Sequence, residues 1–164
     1  MAKYKHKQTH SFSIEGELTV KKRLLNGETE VLFQDKNLIV RSGKALVLSN
    51  LHTANGSADP IKFAKVGTGG SFDLDGLLLK TPTDSMTDLY TPVATVGVAK
   101  TGEDLSVPYI ILVASVDNDQ GNGQRINEAG FFSAAGVMFN IKTFPGTVKN
   151  NSFSLDFEWK IKVL

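Results

Sequence analysis

The clearest pattern in the chain lies at its C-terminus. There Phe153, Leu155, Phe157, Trp159, Ile161 and Val163 alternate with Ser152, Ser154, Asp156, Glu158, Lys160 and Lys162. Successive strand side chains point to opposite faces, so this register predicts a strand with one buried and one wet face, Trp159 lying in the core. A second alternation opens the chain, with Phe12, Ile14, Leu18 and Val20 interleaved among Ser11, Ser13, Glu15, Glu17 and Thr19. Asn26-Gly27 suits the positive φ values of a tight hairpin turn, and Thr29–Phe33 reads as the returning strand. Further strands are expected over Ile61–Val66, Val93–Lys100 and Val107–Val116, the last apolar on both faces. Ile126–Phe132 and Val137–Phe144 form an expected hairpin around Ser133-Ala134-Ala135-Gly136.

One stretch changes period. Leu46, Val47, Leu48 and Leu51 recur at three- and four-residue spacing, predicting a short helix over about residues 42–54, with Ser42 as N-cap and Asn55-Gly56 as its stop. Residues 71–92 read as a long loop whose Leu77-Leu78-Leu79 run is unusual in a solvated segment. It reads as a short core insertion or as a patch covered by a neighbouring subunit. About eight strands, one helix and no βαβ alternation predict an all-β fold: an antiparallel β-sandwich or jelly-roll-like domain over residues 11–164. Residues 1–10 are expected to form a flexible N-terminal arm.

Composition narrows the chemistry. Among 164 residues there is no Cys, which excludes disulfides, thiolate metal sites and cysteine nucleophiles. Eighteen Lys and Arg against 17 Asp and Glu leave a net charge of +1, too little basic excess for a dedicated nucleic-acid binder. No run approaches the ~20 apolar residues of a membrane-spanning helix, and the basic start at Met1–Lys7 lacks the apolar core of a signal peptide.

The motifs favour structural readings. Gly67-x-Gly69-Gly70 invites comparison with phosphate-cradling loops, but no third spaced Gly and no helix follows, so a strand-ending turn is the better account. Asp117, Asp119 and Glu128 fall at positions 1, 3 and 12 of a calcium loop, yet Gly121 and Asn122 occupy positions 5 and 6. A polar hairpin loop fits better. His6 and His10 have the spacing of a helical metal pair without a third ligand, and His52 suits a helix-terminal carbonyl. No nucleophile elbow or zinc-protease motif is present, so neither a catalytic residue nor a cofactor or metal site is nominated, and the chain is not expected to be an enzyme.

Several phrases, taken in order, resemble a family. Asn37-Leu38-Ile39-Val40 with Ser42–Leu46, Phe63–Gly69, Ile126-Asn127-Glu128-Ala129-Gly130-Phe131-Phe132, Met138–Pro145 and Phe157–Ile161 are similar to segments of small bacteriophage tail and fibre-attachment proteins. Phe131-Phe132 stands where those proteins have Leu-Phe, and the 71–92 loop has no counterpart. The resemblance covers residues 37–163 and implies a virion structural protein, assembled in the host cytoplasm, of the tail, baseplate or neck. Such a protein would act as a symmetric homo-oligomer that anchors fibres or neighbouring virion proteins. The alternatives are a capsid decoration protein and a carbohydrate-binding receptor module. Its signature and interface candidates are Asn127, Glu128, Gly130, Lys142, Phe144 and Pro145. Asn127 and Glu128 are expected to bond backbone amides and fix the hairpin, and Gly130 to let another chain approach closely. Lys142 and Lys149 are expected to pair with Glu128 or with a neighbouring subunit.

Overall fold

The computed structural model describes residues 13–51, 58–104 and 106–164. Its elements are β1 (Ile14–Leu24), β2 (Thr29–Ile39), α1 (Arg41–Leu51), β3 (Ile61–Gly67), β4 (Pro92–Asp104), β5 (Tyr109–Val116), β6 (Arg125–Ser133), β7 (Asn140–Val148) and β8 (Phe153–Val163). The fold is predominantly antiparallel β with one short helix, as the alternation implies. It is not a sandwich or a jelly roll. The strands close into one barrel in the order β1-β2-β7-β6-β3-β4-β5-β8. Closure is set by β8, which pairs along its length with β1 on one side and β5 on the other. Alternation marks one buried face per strand in either architecture, and only the choice of edge partners separates them.

The β8 register is the expected one. Phe157 and Trp159 lie fully buried in the barrel, Trp159 opposite Leu18 and Leu112, Phe157 opposite Val20 and Ala114. Phe131 stacks obliquely on Trp159 with ring centroids 4.1 Å apart. On the wet face, cross-strand opposite charges meet: Lys21 with Glu158 at 2.8 Å and Arg23 with Asp156 at 2.9 Å. Burial alone would raise the Asp156 carboxyl. Hydrogen bonds from Arg23 and Ser115, with the charges of Arg23 and Lys21, outweigh it and hold the group below its ordinary value. An apolar interior and a charged outer wall reverse the arrangement of a membrane barrel, and no helix among the described residues is long and apolar enough to cross a membrane.

Local details depart from expectation. Only Gly27 takes a positive φ (88°) at the first hairpin, which is a four-residue connection, Leu25–Glu28, rather than a two-residue turn. Ser42 lies inside α1, and its hydroxyl donates to the Met138 carbonyl instead of capping. The expected helix stop, the histidines and the N-terminal arm fall outside the described residues. The β2–β7 junction is brief: only Leu38↔Ile141 and Ile39↔Asn140 are paired. Beyond it side chains close the wall, Phe33 packing on Phe144 at 5.7 Å and Lys142 bonding Asp35.

The barrel has two distinct ends. At one, where β1 and β5 begin and β8 finishes, α1 covers the mouth; at the other, β3 runs out into the 68–91 segment that returns as β4. That segment straps the outside of β6 and β7, and its Leu89 joins Val40, Phe132, Met138 and Ile141 in a second apolar cluster on the outer side of the wall.

Candidate functional site

The strap is anchored by the two residues at the centre of the resemblance. In β6 the register shifts between Ile126 and Glu128, so consecutive residues turn outward beneath the strap. Asn127 and Glu128 are 2% and 0% exposed. The Glu128 carboxylate accepts N–H bonds from Gly69 (2.9 Å) and Thr91 (2.8 Å) on Oε1 and from Tyr90 (2.9 Å) on Oε2. The Asn127 amide accepts from Gly70 N–H at 2.8 Å and donates to Ser71 Oγ at 2.9 Å. One carboxylate therefore ties the exit of β3 to the entry of β4. Hydrogen bonds to a buried carboxylate are the stronger kind, and they offset the desolvation of its charge.

This arrangement explains the glycine cluster. A side chain at Gly67 would strike the Glu128 carboxylate and the Thr91 carbonyl, and one at Gly70 would strike the Asn127 backbone. The glycine-rich backbone does cradle an anion, but the anion is the protein's own Glu128. Neither expected lysine reaches it. Lys142 pairs with Asp35 and, through its hydrogen bond, lowers the Asp35 carboxyl. Lys149, fully buried, donates to Asn122 Oδ1 (3.2 Å) and the Asn150 carbonyl (2.7 Å). Burial pushes its ammonium below the ordinary lysine value, against the opposing pull of Asp119 and Asp117. The expected close approach at Gly130 is made by the chain itself, through the Asn140 carbonyl and Leu89. Phe144 is core, packed between Phe33 and Phe157, and Pro145 is exposed on β7.

Above the anchor the strap carries a compact protrusion. Ser71 and Leu79 form a bridge, Phe72 N–H donates to the Leu78 carbonyl, and Asp73 Oδ1 accepts from both Leu77 and Leu78 N–H. Gly76, with φ +74°, backs onto Arg125 and Gly146 and turns the tip outward. Phe72 (70%), Leu74 (96%), Leu77 (72%) and Leu78 (61%) are left largely in solvent. Lys80 lies over the Tyr90 ring at 4.8 Å, and burial together with the nearby Glu128 charge raises the Tyr90 phenol. Isolated exposed leucines are ordinary; four large apolar side chains on one short hydrogen-bonded loop form an exposed apolar patch.

Asn127 and Glu128 are legible in the sequence as amide-binding residues and Leu77–Leu79 as an unusual apolar run, but the amides that Asn127 and Glu128 bind lie in the strap and not in their own hairpin. The exposed Phe72 and Leu74 were missed; the signal for them is their spacing around Asp73 in a turn-rich loop. No cluster of three or more potential metal ligands occurs among the described residues. The chain matches no family model, no curated protein and no solved structure.

Proposed function

We propose that the chain is a bacteriophage virion structural protein, a tail, baseplate or neck component that works as a symmetric oligomer and anchors fibres or neighbouring virion proteins. The observation that carries this reading is the apolar protrusion Phe72–Leu78, held rigid by its own hydrogen bonds and by the buried Asn127–Glu128 anchor beneath it. The residues most similar to the phage proteins are thus those that hold a contact surface in place, which suits assembly rather than catalysis. Trp159, the one indole that a sugar-binding platform would use, lies inside the barrel.

Labelled antibodies raised against the protein, viewed on intact particles by electron microscopy, test the reading. Label at the tail, baseplate or neck is the expected result. Label spread over the head would move the protein to capsid decoration, and unlabelled particles would remove it from the virion. A glycan array with the purified protein tests the receptor alternative, and specific sugar binding would put that reading first.

A further inference from the structure

One buried nucleophile has no part in the strap. Lys149 is the only buried lysine among the described residues, and its ammonium lies 5.2 Å from the centroid of the Phe153 ring. It sits in the turn after β7 and faces the 117–124 connection between β5 and β6. The two backbones are locked together there. Gly123 N–H donates to the Lys149 carbonyl at 2.8 Å, and Lys149 N–H donates to the Gln124 carbonyl at 2.9 Å. The side chains therefore meet in a fixed pose, with Nζ 3.2 Å from Asn122 Oδ1. The Asn122 carboxamide is held from its other end too, Nδ2 donating to the Asn118 carbonyl at 3.0 Å. Burial favours the uncharged amine, which is the nucleophilic form, and Asp119 and Asp117 are the carboxylates whose charges act on it.

We propose that Lys149 and Asn122 join in an intramolecular isopeptide bond, Nζ to Cγ, with loss of ammonia. The ammonium first passes a proton to a neighbouring carboxylate, Asp119 or Asp117, which frees the Nζ lone pair. That pair attacks Asn122 Cγ, the Nζ–Cγ bond forms and the Cγ–Nδ2 bond breaks. One Nζ hydrogen goes to the departing nitrogen, and the carboxyl proton makes it ammonium. Nothing is oxidised or reduced, and no co-reactant is consumed. Holding amine and carboxamide in contact supplies the rate that an isolated amide lacks. The rival reaction of an Asn-Gly pair, closure to a succinimide by the Gly123 nitrogen, is opposed because that N–H is bonded to the Lys149 carbonyl. The new bond links positions 27 residues apart and closes a covalent loop around β6 and β7, in a chain without cysteine. Such a loop restricts the unfolded chain as a disulfide does. The inference stands apart from the virion reading.

Intact-mass spectrometry of the full chain tests it. After prolonged incubation the native protein should be lighter than its sequence by one ammonia. Trypsin should then release residues 101–125 joined to residues 143–160, uncut at Lys149. Lys149→Met, which keeps most of the buried volume, and Asn122→Ala, at an exposed position, should each show the full sequence mass. If Lys149→Met does not fold, the joined peptide from the native protein decides alone. A native protein that keeps its full sequence mass overturns the proposal. So does an ammonia loss that persists in Lys149→Met, or one whose product hydroxylamine cleaves after Asn122, since both mark a succinimide.

Discussion

The molecule buries two regions by different means. Inside the barrel, Leu18, Val20, Phe131, Phe157 and Trp159 exclude water by apolar packing. Under the strap, an apolar cluster around Phe132 and Leu89 lies beside a fully enclosed carboxylate whose oxygens are taken up by backbone amides. The interior depends on apolar volume and tolerates hydrophobic replacements that conserve it; the strap depends on acceptor geometry and tolerates almost none. The first makes the barrel stable. The second fixes where one loop presents its leucines.

The largest effect should come from the interior. Trp159→Ala is expected to cost about 3–5 kcal/mol in urea unfolding, while Glu158→Ala, next along β8 on the wet face, should cost less than about 1 kcal/mol. Equal losses would mean that the two faces of β8 are not distinguished as described. The indole N–H has no acceptor among the described residues, so Trp159→Phe should recover much of the loss.

Next comes the anchor. Glu128→Ala leaves the buried Gly69 amide and the partly buried Tyr90 and Thr91 amides without their acceptor and should cost about 2–3 kcal/mol, with Glu128→Gln intermediate. Hydrogen exchange should quicken at Gly69, Tyr90 and Thr91 while β8 stays protected. Equal quickening in β8 would make barrel and strap one cooperative unit and abolish the contrast between them.

A smaller effect concerns the outer wall. The Asp156 carboxyl is held below its ordinary value, so its contribution is present above the unfolded value of ~3.9 and is lost as pH falls through the lower folded value. Native protein should therefore lose stability on acidification below about pH 4, and Asp156→Asn should lose less over that interval. Parallel acid curves for the two proteins would place the titrating group elsewhere. Lys142→Ala, which removes a partly exposed pair with Asp35, should change stability by no more than about 1 kcal/mol.

The smallest expected effect is none. Calcium should leave the melting temperature unchanged, because the Lys149 ammonium already bonds Asn122 within the 117–124 loop and Glu128 is committed to the strap. A rise of several degrees would show selective binding to the folded state and a rearranged loop.

What the sequence determined by itself was the approximate place of the strands and, for β1 and β8, the inward face. The Phe153–Val163 alternation specifies which side of β8 meets the core, and the three- and four-residue spacing after Ser42 locates α1. Both are local periodicities that the backbone alone imposes. Asn127 and Glu128 were legible as amide-binding residues, but not the amides they bind. Those belong to Gly69, Gly70, Tyr90 and Thr91, 37 to 59 residues away along the chain. Barrel closure is likewise tertiary. The pairing of β8 with both β1 and β5 depends on how strand tilt and twist bring distant edges together, and no local pattern encodes that geometry. The exposure of Phe72, Leu74, Leu77 and Leu78 was decided there too: apolar residues in a loop turn outward only because the strap's own hydrogen bonds and the buried carboxylate beneath it leave them no way in.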